Sequence, residues 1–154
     1  MAQGMPDLPK EYNILAFDYG NSRIGVAVGN NLLKIPHPLA TVGGVSLKDK
    51  ITAIEPLILK WKPAILVVGI PESSDNPQKI QLINTIKNFA KELGRKFSLP
   101  VNFVDESYSS SHASNLLNEQ GIRGRSQKVM LDQLAACAIL ESFFIILPDK
   151  VALS

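Results

Sequence analysis

The sequence predicts an α/β domain built on a mixed sheet of about five strands with helices packed against it. Three features carry that prediction. Tyr12–Asp18 and Ile24–Val28 alternate their side chains at period two and are joined by the short turn Tyr19–Ser22. Ala64–Gly69 is apolar throughout and bounded by Pro63 and Pro71, as a strand covered on both faces would be. Between and after these strands, apolar residues recur at helical spacing. A chain of 154 residues suits one domain. It is read over residues 12–148, with 1–11 as a flexible leader and 149–154 as a tail.

Each element follows from its own residues. In Tyr12–Asp18, Ile14, Ala16 and Asp18 share one face, and Leu15 and Phe17 share the other. The loop to the second strand holds Gly20 and Asn21, residues that accept positive φ, so a hairpin is expected. Leu32–Val42 supplies a third strand, which Pro36 and Pro38 confine to an edge. Ser46 and Asp49 form a capping signal ahead of Leu47, Ile51, Ile54, Ile58 and Trp61, which predicts a helix kinked at Pro56. Gln78–Leu93 is an amphipathic helix with Gly94 as its stop. Val101–Val104 is a short strand. Ser110–Gln120 reads as a helix ended by Gly121, and Gln127–Leu147 as a last helix stopped by Pro148.

Composition excludes several function classes. Lysine and arginine total 16 against 14 aspartates and glutamates, a net charge of +2. No polybasic arm can therefore grip nucleic acid by charge alone, although a local basic patch remains open. One cysteine, Cys137, excludes an intrachain disulfide and a multi-cysteine zinc site; within Ala-Ala-Cys-Ala it reads as packing. The start lacks a basic segment followed by a long apolar one. Apolar runs such as Ala64–Ile70 fall short of the roughly 20 residues a membrane span needs, so a cytoplasmic protein without a membrane partner is expected. Neither His37 nor His112 has a partner at metal spacing, and no G-x-S-x-G elbow occurs. Lys48, Lys50, Lys60 and Lys62 read as a solvated helix face. Either a monomer or a homodimer fits this composition.

Three carboxylates stand apart because of where the pattern puts them. Asp18 ends the first strand, and Asp105-Glu106 follow the strand Val101–Val104. Asp132 lies on the stripe of the last helix that carries Ala135, Ala136 and Ile139, so it should face the sheet. An inward aspartate needs a cation, a donor or a proton, and Lys128 at i−4 is the local alternative. If the first strand and Val101–Val104 are neighbours, Asp18 and Glu106 meet at their ends and the last helix lays Asp132 over them. Three converging carboxylates call for a divalent cation, and oxygen-only ligands favour Mg²⁺ or Mn²⁺. Such sites act on phosphate. Arg123, Arg125 and Lys128, in a glycine-bearing segment just before Asp132, form a candidate phosphate clamp.

These residues match a family. Leu15-Ala-Phe-Asp18-Tyr-Gly20-Asn-Ser-Arg23-Ile-Gly25-Val-Ala-Val resembles the opening strand–turn–strand of the YqgF (RuvX) proteins. Val67-Val-Gly69-Ile-Pro71, Phe103-Val-Asp105-Glu106 and Asp132-Gln-Leu-Ala135-Ala136-Cys-Ala-Ile139 are similar to that family's central strand, acidic strand end and last helix. The resemblance spans about residues 12–145. It implies an RNase H-like fold and a metal-dependent endonuclease in which Asp18, Glu106 and Asp132 are the catalytic, metal-holding positions and Arg23 the basic position after the first turn. It also implies the substrate: the 5′ end of pre-16S rRNA in ribosome biogenesis or, alternatively, branched DNA cut by a Holliday junction resolvase. Ser107 stands where the family pattern has arginine, and a serine cannot mimic a guanidinium fork. That departure motivates a third expectation, a nucleic-acid-binding protein of the same fold with weak catalysis. Gly20 and Gly25 also resemble the phosphate hairpin of actin-like ATPases, but a chain this short has no room for their second lobe.

Overall fold

The computed structural model describes residues 8–72, 75–105 and 124–147, the side chains of the last segment from Val129 onward. Five strands form one sheet: β1 (Asn13–Asp18), β2 (Arg23–Asn30), β3 (His37–Gly43), β4 (Ile65–Ile70) and β5 (Val101–Asp105). Their order is β3-β2-β1-β4-β5. β1 to β3 form an antiparallel meander, while β4 pairs in parallel with both β1 and β5. Helices α1 (Leu47–Trp61) and α2 (Pro77–Phe97) cover one face, and α3 (Gly124–Ile146) covers the other. The mixed five-stranded sheet expected from the sequence is therefore present.

Alternation decides which side chains meet which helices. Leu15, Phe17, Val26, Leu66 and Val68 pack beneath α1 and α2 with Ile54, Phe89 and Leu93. Ile14, Ala16, Ala27, Ile65, Val67 and Val104 pack beneath α3 with Ala136, Ile139, Leu140 and Phe144. Phe17, Leu15 and Ile14 have no solvent exposure, and each such side chain contributes roughly 1.5–3 kcal/mol. α3 uses its apolar surface here. Val129–Ile146 is long and apolar enough to cross a membrane, with mean hydropathy 1.8, which corrects the expectation that the apolar runs fall short of a span. Its inward stripe is occupied by the sheet.

Several local readings differ from expectation, among them the third strand, which begins at His37 rather than Leu32. β1 and β5 are not neighbours, because β4 lies between them. Two interstrand steps, about 9–10 Å in all, therefore separate their ends. α1 continues through Pro56 to Trp61: burial of Ile51 and Ile54 holds the helix across the missing backbone bond. α2 does not stop at Gly94 but continues to Phe97, and Ser98 ends it in the left-handed region at φ 55°. Gly94 serves the return of the chain instead. A Cβ there would lie 3.1 Å from Val101 Cγ2 and 3.2 Å from the Leu99 carbonyl oxygen. Finally, Lys50 is not solvated; it is 4% exposed. Pro38 does sit on the edge strand, paired opposite Ala27 next to a register shift at Val26/Ala27. The expected helix Ser110–Gln120 lies outside the described residues.

Ser98 offers a stability test. Its left-handed backbone is the position glycine favours after a helix. Ser98→Gly should raise stability by about 0.5–1 kcal/mol, read as a shift in the denaturation midpoint at unchanged slope. An unchanged or lowered midpoint would show that the serine backbone is unstrained there. Cys137 is packing, as expected. Burial pushes its thiol pKa up to about 11, with a smaller push from Glu141, which disfavours the thiolate.

Candidate active site

One row of residues crosses the sheet under α3. Thr41 of β3 pairs with Gly25 of β2, and Gly25 pairs with Asp18 of β1. All three lie on the α3 face by the alternation that puts Ala16 and Ala27 there. α3 is fixed to this row at two points. The Gln133 amide donates to Thr41 Oγ1 at 3.0 Å, and the Thr41 hydroxyl donates to the Val129 carbonyl oxygen at 3.2 Å. At Gly25 the helix backbone itself rests on the strand. A Cβ added there would lie 1.9 Å from the Asp132 carbonyl oxygen and 2.9 Å from Asp132 Cβ. Only glycine admits the helix this close.

That seat determines where Asp132 goes. It is brought over the cross-strand neighbour of Asp18, at the end of the sheet where β1 finishes. Its carboxylate does find a cation, but from β2. The Arg23 guanidinium donates from Nε to Asp132 Oδ2, the side chains being 40% and 19% exposed. Arg23 opens β2 two residues before Gly25, so it stands on the same face. Asp18, Arg23 and Asp132 are thus gathered, although 114 positions separate the first from the last.

The remaining predicted positions divide in three. Glu106 and Arg123 lie outside the described residues, as do Ser107 and His112. Arg125 and Lys128 belong to the first turns of α3, within its Gly124–Ile146 span. Asp105 ends β5 opposite Ile70 and shares parity with Val101, which packs on the α1–α2 side, so its strand position is on the face away from Asp18. Among the described residues no three His, Cys, Asp or Glu side chains cluster at metal-binding distance. The ring of Tyr19, next to Asp18, packs on Phe89 at 5.0 Å between centroids.

The sequence reading missed the residues that build the seat. Gly25, Ala27 and Gly29 alternate along one face of β2, and a Cβ at Gly29 would lie 2.7 Å from the Phe144 ring. Small side chains at every second strand position were the available signal for a helix pressed unusually close. Thr41 and Gln133 carried no such signal, because their pairing spans 92 residues.

The ion pair can be tested. Arg23→Ala should lower stability by about 1–2 kcal/mol, as loss of a partly exposed charge-assisted hydrogen bond does. Added Mn²⁺ should recover more of the melting temperature in this variant than in the wild type, since a second cation then finds Asp132 unpaired. Equal Mn²⁺ shifts in the two proteins would separate Arg23 from any cation at this carboxylate.

Comparison with known proteins agrees with this architecture. The RuvX family model, described as Holliday junction resolvase, matches residues 12–145. A protein of Methylobacillus flagellatus, named "Putative pre-16S rRNA nuclease", is 47% identical over 131 residues, covering 85% of this chain and 89% of its own. One of Neisseria meningitidis with the same name is 44% identical over 140 residues, covering 91% of each. Among solved structures, RuvC of T. thermophilus in complex with a Holliday junction substrate superposes with a TM-score of 0.54. At 13% identity it covers 86% of this chain and 93% of that one, a likeness of fold alone. A sheet ordered β3-β2-β1-β4-β5, with a last helix seated on the glycine beside the first strand's aspartate, is therefore the RNase H-like fold of resolvases, and the chain belongs to the RuvX family.

Proposed function

We propose that the chain is an endonuclease that hydrolyses phosphodiester bonds of structured nucleic acid and trims the 5′ end of pre-16S rRNA, as a soluble cytoplasmic enzyme. The observation that carries this reading is the seating of Asp132 on Gly25, which delivers a second carboxylate to the strand end occupied by Asp18. The name shared by relatives at 44–47% identity supports the RNA substrate. Branched DNA is the second reading. It is supported by the description of the family model.

Asp18, Asp132 and Glu106 would hold Mg²⁺ or Mn²⁺. The donor chemistry fits: the described members are carboxylates on one face, and one of them already draws a cation, Arg23. Glu106 follows Asp105 directly in the sequence, lies outside the described residues, and enters as the third carboxylate of the family motif. When bound, a divalent ion lowers the pKa of a water and stabilises charge on the leaving oxygen. The chain's own residues do the rest. Gly25, Thr41 and Gln133 hold Asp132 in place, and Arg23 offers its remaining N–H donors to a phosphate oxygen. Arg125 and Lys128, at the start of α3, and Arg123 before it would contact the flanking backbone.

The test is a side-by-side cleavage assay. Wild type is offered a pre-16S 5′ leader and a four-way DNA junction, each with Mg²⁺, with Mn²⁺ and with chelator. Metal-dependent cleavage of the leader, at least tenfold faster than of the junction, is the expected result. The reverse preference would reassign the substrate, and binding without metal-dependent turnover would reduce the protein to a binding module.

A further inference from the structure

The end of the sheet that carries Asp18 holds a second charged group, on the opposite face and outside the nuclease machinery. Lys50 is 4% exposed, yet lysines are almost never this buried unless paired. Its ammonium makes no hydrogen bond or ion pair among the described residues. It lies over the ring of Tyr19, 5.9 Å from the centroid, at the outer limit of a cation–π interaction. An ammonium has three N–H donors, and a ring at that distance satisfies none of them.

Placement ties this charge to the strand end. Tyr19 follows Asp18 directly. Gly44 lets the first turn of α1 fold back here, since a Cβ on it would lie 2.8 Å from Lys50 N and from Asp49 Cβ. Gly43 approaches the β1–β2 turn at the Ser22 carbonyl oxygen. The electrostatics are unusual as well. The first turn of a helix favours acids, but the one acid here, Asp49, is engaged in the capping box with Ser46. Lys48 and Lys50 add their charges to the positive helix end. The result is a concentration of unspent positive charge one residue from Asp18.

We propose that Lys50 is a substrate-positioning residue, its ammonium beside Tyr19 binding a backbone phosphate of the nucleic-acid strand that lies against Asp18. The proposal rests on the nuclease reading above. Tyr19 follows Asp18 directly and its ring lies against the ammonium, so a turn of that ring would bring phosphate oxygens onto the three donors. Binding from this side of the sheet would hold the strand at a second point, across β1 from Arg23.

The test measures binding of a labelled single-stranded RNA to the full chain in chelator, across a salt series, so that cleavage plays no part. Lys50→Met keeps the apolar stem and removes the charge. It should weaken binding about tenfold at low salt and reduce the slope of log K against log salt by about 0.7, the share of one phosphate. Lys50→Arg should restore most of both. With metal present, Lys50→Met should raise KM about tenfold while kcat stays within about twofold, and its melting temperature should not fall. An unchanged affinity and salt slope in Lys50→Met would overturn the proposal while leaving the nuclease reading intact. A wild type that binds no nucleic acid would overturn both. A melting-temperature rise with inorganic phosphate alone, lost in Lys50→Met without any change in RNA binding, would assign the seat to free phosphate and overturn the nucleic-acid assignment.

Discussion

Asp18→Asn should abolish metal-dependent cleavage and leave the fold intact. The substitution keeps the shape of the side chain and removes its charge. Asp18 ends β1 on the half-exposed rim of the sheet, so no core packing is lost. What changes is the electrostatics of the strand end that Asp18 shares with Asp132 and Arg23. Loss of even an outer partner of a metal centre costs 10–100-fold, so loss of a direct ligand should exceed about 100-fold in kcat. The Mn²⁺-induced rise in melting temperature should shrink with it, since the binding energy that stabilises the folded state goes too. The measurement is single-turnover cleavage of the preferred substrate alongside thermal denaturation with and without Mn²⁺. Undiminished cleavage, in a preparation freed of contaminating nucleases, would remove Asp18 from the mechanism.

Gly25→Ala should damage both stability and activity. The added methyl would lie 1.9 Å from the Asp132 carbonyl oxygen, which is backbone and cannot rotate aside. α3 would have to lift by about 1–2 Å to restore ordinary contact. Overpacking of this kind costs about 1–3 kcal/mol. A displacement of about 1 Å in a reacting group can cost 10²-fold in rate. Gly43→Ala is the control: its added Cβ would meet the Ser22 carbonyl oxygen at 3.4 Å, an ordinary contact. Denaturant unfolding and kcat of the two variants, measured in parallel, should separate them clearly. A Gly25→Ala protein with wild-type stability and kcat would mean that the seating of α3 on β2 is irrelevant to Asp132.

Much of this architecture was legible because period-two and period-3.6 patterns are local. The faces of β1 follow directly from its alternation, and the covered character of β4 from its unbroken apolar run. Pro38 marked the edge, and Ser46 with Asp49 marked the start of α1, where the capping box is complete. The inward direction of Asp132 was equally readable, since Ala135, Ala136 and Ile139 surround it on the helix and are buried. The cation that Asp132 meets, Arg23, is one that no helix spacing could reveal.

What the chain determined by itself was which residues share a face, where the elements begin, and which acids sit at strand ends or point inward. Each of these depends on neighbours within a turn or two. Only the tertiary structure decided that β4 separates β1 from β5, that Arg23 is the partner of Asp132 across 109 positions, and that Lys50 is buried beside Tyr19. Periodicity gives the direction of a side chain but not the identity of the strand or helix it meets. That identity is fixed by long-range pairing and by how closely two backbones can approach, which here comes down to the missing side chain of Gly25.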